Sequence, residues 1–248
     1  MVNKIKANKI RRVMKISLVF LLSMSMMTGL FLSLTGNVKG RIRQKYSNKA
    51  IFAVEEAIRN EEPVSSFMVP VTGALAIEGE NGETEFGLDG LMEEMRDLSF
   101  EYESLPLLGI LEVPCIGVKE PIWDSCSANA LRYGVGRYPG TAEIGGEGLC
   151  NLFGHRQIGE PDIKLGSIQY LAEMTGETVT VTTTDGSVHE YMISDTVYVT
   201  DSELMPYLNR NTFDREVLCI TACGWGEDPL TGNCYPRNTE FVVICESK

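Results

Sequence analysis

A single apolar run near the start of the chain limits where this protein can reside. Residues 16–36, ISLVFLLSMSMMTGLFLSLTG, contain no charged side chain. As a helix the run would extend roughly 31 Å, close to the thickness of the hydrocarbon core of a bilayer. It lacks a clear A-x-A-type cleavage site and is followed by more basic residues, which favours an uncleaved anchor over a cleaved signal peptide. The sequence therefore predicts one transmembrane helix, preceded by a basic cytoplasmic segment at residues 1–15.

The charge of the chain changes sign soon after this run. The first 49 residues hold 11 of the 22 basic residues and no acidic one, which leaves 11 basic against 34 acidic residues and a formal net charge of −23 for the remainder. Such asymmetry indicates that the two parts occupy different environments. The acidic part would repel nucleic acid phosphates, so nucleic acid is not expected as a partner.

Residues 37–104 differ in character from the rest of the soluble part. Residues 50–62, AIFAVEEAIRNEE, have the pattern of a short amphipathic helix. Residues 63–90 are rich in Gly, Pro and Glu and are expected to be loosely ordered, and residues 90–102 predict a second short helix. We interpret the region as a juxtamembrane stalk, with a lid over a cleft as the alternative.

From residue 105 onward, short strand-like segments alternate with turns. Strands are predicted within residues 107–123, 148–155, 177–199, 216–223 and 238–245. Asp185-Gly186 is a strong hairpin signal inside the third of these segments. Brief helices are predicted at residues 167–174 and 201–208, the second capped by Asp201 or Ser202. Many short strands with few helices predict an all-β-dominated domain, a closed β-barrel, over residues 105–248.

Three residues at predicted strand boundaries can carry nucleophilic chemistry. Cys223 ends one strand in A-C-G-W-G, His155 ends another in F-G-H-R, and Arg237 opens the last strand after a long loop. A thiol becomes a nucleophile when a base removes its proton or a cation lies beside it. Each residue alone has a purely structural explanation, whereas the three together indicate a candidate thiol enzyme. His189 lies inside a hairpin strand and is expected to face solvent.

The seven cysteines give little support to a metal site. Their odd number leaves at least one thiol without an intramolecular partner. Cys219 and Cys223 would lie about 13 Å apart on one strand, too far for a disulfide, while a disulfide between Cys234 and Cys223 is a possible block of the nucleophile. The chain has no C-x-x-C pair and only two histidines, so we predict no zinc and no other resident cofactor.

Five motifs, in this order along the chain, resemble the catalytic domain of bacterial sortases. They are L-G-I-L-E-V-P-C-I-G-V-K-E-P-I-W (108–123), A-L-R-Y-G-V-G-R-Y-P-G-T (130–141), N-L-F-G-H-R (151–156), L-C-I-T-A-C (218–223) and R-N-T-E-F-V-V (237–243). The resemblance implies a closed eight-stranded sortase-type β-barrel with short helices. It also implies that Cys223 is the nucleophile, that His155 is the acid and base, and that Arg237 stabilises the acyl intermediate.

The motifs also depart from the family pattern. Cys219, Ile220, Thr221 and Ala222 stand where sortases usually have Thr-Leu-x-Thr, and Gly224-Trp225-Gly226 follows the nucleophile. The resemblance assigns the substrate groove to four residues: Thr221, Ala222, Gly224 and Trp225. No Asp-Pro-aromatic lid motif precedes residue 105 and no apolar span follows Lys248. We therefore expect a class D-like or divergent enzyme rather than a pilin-polymerising one.

The function that the resemblance implies is that of a membrane-anchored cysteine transpeptidase whose catalytic domain is extracytoplasmic. Its thiolate would cleave an LPXTG-like C-terminal sorting signal of an exported surface protein. An amine of a cell-wall precursor or a pilin would then resolve the thioacyl enzyme. Calcium modulates some sortases, but no ligand set is assignable here. Two alternatives stay open: a membrane-tethered cysteine protease that transfers the acyl group to water, and an inactive sortase-like binding module.

Overall fold

The computed structural model describes residues 43–71, 77–78, 84–85, 101–156, 165–209 and 214–248. The apolar run at residues 16–36 and most of the predicted helix at residues 90–102 lie outside these ranges. Within the described ranges, no helix combines the length and apolar character that crossing a membrane requires. Residues 46–248 belong to one compact unit.

Strands are the commonest regular elements of the described chain, as the sequence predicts. Helix α1 spans residues 43–60. The strands are β1 (Ser66–Val71), β2 (Ile77–Glu78), β3 (Thr84–Glu85), β4 (Glu101–Val113), β5 (Val118–Trp123), β6 (Val135–Arg137), β7 (Gly148–Gly154), β8 (Thr178–Thr183), β9 (Val188–Thr200), β10 (Glu216–Cys223), β11 (Gly226–Glu227), β12 (Cys234–Tyr235) and β13 (Thr239–Ser247). Two further α-helices are α2 (Ala128–Tyr133) and α3 (Asp201–Leu208), and 3-10 turns occupy Pro114–Ile116 and Ile168–Glu173.

Eight of these strands close into a barrel. Their order is β4-β5-β6-β7-β10-β13-β9-β8, and β8 pairs back onto β4 to complete the ring. The pairs β5–β6 and β7–β10 are parallel, and the other neighbours in the ring are antiparallel. The predicted closed eight-stranded barrel with short helices is thus confirmed. Closure leaves no free strand edge within the ring at which another chain could pair.

Three apolar clusters correspond to the two faces of the barrel wall and to its N-terminal cover. The barrel interior contains residues such as Leu152, Ile220 and Phe241, all nearly inaccessible to solvent. A second cluster lies on the outer face of β10 and β13, beneath α3. The third cluster joins α1 and β1 to β4, β5 and α2, and contains Val54, Val69 and Trp123 among others.

An N-terminal cover, made of α1 and β1, packs on the barrel. β1 pairs with the first half of β4, from Ser66 opposite Pro106 to Val71 opposite Glu101. Ala50 and Val54 of α1 are fully buried against this region. α1 and β1 therefore pack with the barrel in one compact unit, because they bury apolar side chains that the barrel alone would expose, and the predicted domain bounds stay predictions. The stalk and lid roles for the rest of residues 37–104 stay predictions.

Local details also differ from the sequence reading. The helix predicted at residues 50–62 begins earlier and is part of α1, and the segment predicted as a helix at residues 167–174 forms a 3-10 turn. Thr200, rather than Asp201 or Ser202, caps α3: Glu203 accepts hydrogen bonds from the backbone nitrogen of Thr200 at 2.9 Å and from its Oγ1 at 2.8 Å. His189 is not fully solvent-facing, because its Nδ1 lies 3.9 Å from Glu216 Oε1 and both side chains are about a quarter exposed.

Candidate active site

The parallel pairing of β7 with β10 brings two of the three predicted catalytic residues to one end of the barrel. In this register Gly154 lies opposite Ala222. The next residue on each strand is His155 and Cys223, and neighbouring strands lie about 4.8 Å apart. His155 is exposed and Cys223 is partly buried. Because the carboxyl ends of parallel strands meet at the same edge, residues 68 positions apart in sequence become neighbours.

Two glycines allow the backbone to approach closely at this edge. A Cβ added at Gly154 would lie 2.5 Å from Leu165 Cδ1. A Cβ added at Gly224 would lie 2.9 Å from the backbone of Glu240 and Phe241, on the neighbouring β13. The Gly224 N–H also donates to the Thr239 carbonyl at 2.8 Å, which holds the chain after Cys223 against the start of β13. Gly154 and Gly224 therefore allow the neighbouring Leu165 side chain and the β13 backbone to pack closely against the site.

Arg237 precedes β13 and is exposed. The central carbon of its guanidinium lies 5.7 Å from the centroid of the Trp225 ring, a cation–π contact worth about 0.5–1 kcal/mol at an exposed position. Trp225 is two residues beyond Cys223 and is partly exposed. The structure thus places Arg237 beside the loop that follows the nucleophile. Its role as the stabiliser of the acyl intermediate stays a prediction.

A second arginine, Arg156, contacts the nucleophile's own backbone, and the sequence reading had not given it a role. Its Nη1 donates hydrogen bonds to the carbonyl oxygen of Cys223 at 3.1 Å and to that of Trp225 at 2.8 Å. One guanidinium therefore fixes both ends of the turn that carries the thiol. The signal was present in the N-L-F-G-H-R motif, but only tertiary structure shows which carbonyls the arginine meets.

The loop between Cys223 and Arg237 is held by a buried carboxylate. Asp228 is 4% exposed and accepts hydrogen bonds from the Leu230 N–H at 2.8 Å and the Tyr198 hydroxyl at 2.9 Å. Burial alone would raise the pKa of Asp228, but these hydrogen bonds outweigh it and lower the pKa. Tyr198 in turn stacks on Tyr235 with ring centroids 3.8 Å apart. The loop is thus tied to Tyr198 of β9 through two of its residues, Asp228 and Tyr235.

The electrostatics around Cys223 do not favour the thiolate in the resting protein. Burial raises the pKa of the Cys223 thiol, and the neighbouring Glu240 raises it further, while Arg156 lowers it. Burial, followed by the charge of Asp201, raises the pKa of Glu240 to about 7. The thiol therefore needs either a base or a change in the charge of its neighbours to become nucleophilic.

The four residues assigned to the substrate groove differ in their exposure. Ala222 is 1% exposed and faces the barrel interior. Thr221 is fully buried, and its Oγ1 donates to Asn151 Oδ1 at 2.9 Å. Gly224 is buried as well, so Trp225 is the member of this set whose side chain reaches solvent. The groove role of the four residues stays a prediction, with Trp225 the best placed to contact a substrate.

Metal ligands do not converge in the part of the chain that the structure describes. No group of three or more His, Cys, Asp or Glu side chains is placed to hold a metal ion there. All seven cysteines lie in the described ranges and none of them forms a disulfide there, with Cys234 exposed.

Comparison with known proteins agrees with this arrangement. A family model for the sortase domain matches residues 111–241, a little over half of the chain. The chain belongs to the sortase family. The matched residues run from the end of β4 to the start of β13 and include His155, Cys223 and Arg237.

Solved structures of sortases resemble this one at low sequence identity. A Clostridium perfringens sortase D5 transpeptidase matches with a TM-score of 0.50 and 15% identity, over 83% of this chain and 99% of that chain. Sortase A of Listeria monocytogenes matches with a TM-score of 0.46 and 17% identity, over 57% of this chain and 87% of that chain. Clostridium perfringens sortase C, solved with the C-terminal cell wall sorting motif, matches with a TM-score of 0.45 and 22% identity, over 57% of this chain and 70% of that chain. No curated protein matches the sequence.

Proposed function

We propose that this sortase is a membrane-anchored cysteine transpeptidase that joins exported proteins to an amine through a thioacyl intermediate on Cys223. The observation that carries the proposal is the β7–β10 register, which sets the residue after Gly154 beside the residue after Ala222. An imidazole and a thiol at neighbouring strand ends form the minimal acid–base and nucleophile pair for acyl transfer. The family of the chain supports the same chemistry.

The proposed reaction has two acyl-transfer steps. The Cys223 thiolate attacks the carbonyl carbon of the Thr-Gly bond in an LPXTG-like sorting signal, a C–S bond forms, and the C–N bond breaks as His155 gives its proton to the leaving amine. An acceptor amine of a cell-wall precursor or a pilin then attacks the thioester. A new C–N bond forms, the C–S bond breaks, and His155 takes the proton of the amine. Arg237 would hydrogen-bond the developing oxyanion.

The apolar run at residues 16–36 supports a location at the membrane. An anchor there would hold the catalytic domain on the extracytoplasmic side, next to exported substrates and lipid-linked precursors. The excess of acidic residues after residue 49 suits a domain that does not approach nucleic acid. We propose that the reaction needs no resident cofactor.

A reaction with and without an amine acceptor tests the proposal. The full-length protein is incubated with an LPXTG-type peptide, and the products are identified by mass spectrometry. We expect a thioacyl adduct on the peptide that contains Cys223, an amide product when the amine is present, and neither product with Cys223→Ala. Cys234→Ala, which removes an exposed thiol of the same loop, is the matched control and should retain activity.

The same experiment separates the alternatives. Hydrolysis at an equal rate with and without the amine would favour a cysteine protease. An enzyme with intact, reactive Cys223 that forms no adduct with any sorting peptide would favour a binding module and contradict the proposal.

A further inference from the structure

Glu240 lies directly opposite Cys223 in the antiparallel pairing of β10 with β13. Facing residues of such a pair have their side chains on the same side of the sheet, with Cβ atoms about 4.5–5.5 Å apart. The burial pattern fixes that side. Val242 and Ile244, which alternate with Glu240, pack on the outer face with Val217 and Cys219, whereas Phe241 and Val243 pack in the barrel interior. The Glu240 carboxyl and the Cys223 thiol therefore share the outer face.

This placement puts Cys223 between two titratable groups. His155 follows the strand on one side of β10, and Glu240 belongs to the strand on the other side. Arg237 is not aligned with His155, Cys223 and Glu240 across the three strands, because it precedes Thr239, the first residue of β13. The side chain directly across from the nucleophile is thus a carboxyl group rather than a guanidinium.

The surroundings of Glu240 keep much of it protonated near neutral pH. It is partly buried, and the charged group facing it from α3 is Asp201, while β9 presents the uncharged Val199 opposite it in the pairing. Arg156 lies on the β7 side, where it bonds the Cys223 carbonyl. Burial and Asp201 together raise the pKa of Glu240 to about 7.

A negative charge on Glu240 disfavours a negative charge on Cys223. After burial, Glu240 is the largest contribution that raises the pKa of the thiol. Two negative charges this close disfavour each other, so the thiolate form of Cys223 goes with the protonated form of Glu240. In that state the protonated carboxyl group of Glu240 has an O–H that can donate a hydrogen bond beside the Cys223 sulfur. A carboxylic acid that apolar surroundings hold neutral can serve as an oxyanion donor.

We propose that protonated Glu240 is a further catalytic residue, which donates a hydrogen bond to the substrate carbonyl oxygen as the Cys223 thiolate attacks it. The inference rests on the function proposed above. As the C–S bond forms, the carbonyl electron pair moves to the oxygen and the Glu240 O–H stabilises the resulting oxyanion. When the C–N bond breaks, the pair returns to form the thioester carbonyl. Glu240 keeps its own proton throughout, and His155 supplies the proton of the leaving amine.

The coupling of the two side chains can be measured without any substrate. Iodoacetamide alkylation of Cys223 in the full-length protein is followed by mass spectrometry of its peptide, from about pH 6 to about pH 9, a range that includes the ordinary thiol pKa. Because Glu240→Gln removes the opposing charge, we expect alkylation at about pH 8 to rise up to about tenfold, which corresponds to about one pKa unit. Unchanged alkylation would show that Glu240 does not face the thiol and would overturn the inference.

Turnover tests the hydrogen bond itself. For the wild type, turnover should stop rising as the pH passes about 7, the pKa of Glu240, because the gain in Cys223 thiolate is then offset by the loss of the Glu240 proton. Glu240→Gln keeps an N–H donor that cannot ionise, so its turnover should go on rising above this pH as more thiolate forms. Glu240→Leu has no donor and should be slower by about 10²-fold at every pH. Equal turnover of the Gln and Leu variants would contradict donation by this side chain.

Two controls keep the outcomes separate. Glu246→Gln removes a carboxylate at the opposite end of β13 and should match the wild type in both assays. If the wild type forms no thioacyl adduct, the proposed function fails, while the alkylation profile still decides whether Glu240 and Cys223 are coupled. If adduct forms on Cys223 and Glu240→Gln leaves both profiles unchanged, only the role of Glu240 fails.

Discussion

Arg156 connects the strand that carries the histidine to the turn that carries the nucleophile. Its two hydrogen bonds end on carbonyls two residues apart, at Cys223 and Trp225. These two hydrogen bonds hold the backbone of the turn in place. Arg156, which follows β7, therefore sets the direction of the Cys223 side chain. The same positive charge lowers the pKa of the thiol against the effect of burial and Glu240. The Arg156 side chain thus both positions the Cys223 thiol and lowers its pKa.

Arg156→Lys and Arg156→Gln should separate these two effects. The lysine keeps the charge but offers a compact ammonium in place of the guanidinium fork, so the thiol pKa should stay near its wild-type value while turnover falls about tenfold. The glutamine also loses the charge, so its thiol pKa should rise and alkylation of Cys223 should slow. Turnover and alkylation against pH measure the two effects. Wild-type values for both variants would show that Arg156 has no part in positioning the nucleophile.

The β7–β10–β13 triplet is the element that assembles the site. β10 lies between a parallel and an antiparallel neighbour, so the residue at its end has one side chain beside it from each strand. Gly224 allows β13 to lie this close to the residue that follows Cys223, because a Cβ at Gly224 would meet the β13 backbone. Gly154 has a similar place on the β7 side, but its nearest neighbour is a leucine side chain. The two glycines therefore differ in what must move when they are replaced.

Alanine at the two glycines should give unequal losses of stability. Gly224→Ala requires the β13 backbone to shift and should lower the free energy of unfolding by about 1–3 kcal/mol. Gly154→Ala should cost less, because the Leu165 side chain can change rotamer. Urea unfolding followed by circular dichroism measures both. A larger loss for Gly154→Ala would mean that β7, and not β13, is the rigid neighbour of the site.

At the scale of the whole molecule, α1 and β1 belong to the same compact unit as the barrel. β1 adds a strand to the part of β4 that extends beyond the ring, and α1 buries Ala50 and Val54 in the same cluster. Removal of this cover would expose Leu105, Leu107 and Trp123, which are at most 2% exposed. The segment that would link a membrane anchor to the catalytic domain is therefore partly structural.

Neighbouring residues of β1 provide a test of this cover. Val69 is fully buried and Met68 is 49% exposed, on opposite faces of the strand. Val69→Ala should lower the free energy of unfolding of the whole domain by about 1.5–3 kcal/mol, the scale of burying one aliphatic side chain. Met68→Ala should change it by no more than about 0.5 kcal/mol. Tryptophan fluorescence in urea reports on Trp123 and Trp225 together, so a separate early transition in the Val69 variant would mean that the cover unfolds independently of the barrel.

Sequence alone was sufficient for features that depend on local pattern. Short, mainly apolar segments between turns predicted the strands at β7, β10 and β13, and Asp185-Gly186 predicted the turn of the β8–β9 hairpin, because these signals act between residues close in the chain. The motif order identified Cys223, His155 and Arg237 as candidates and named the family that the domain match then showed.

Only the tertiary structure decided which residues meet. Neither the facing of Cys223 and Glu240 nor the two carbonyls bound by Arg156 can be read from spacing, because strand register depends on the pairing of distant segments. The same holds for β1, which lies in the glycine- and proline-rich segment at residues 63–90 that was expected to be loosely ordered, and for the packing of α1, of which only the helix at residues 50–62 was predicted. Their order comes from apolar surface on β4, β5 and α2 that exists only after the chain has folded, since burial is a property of the packed whole.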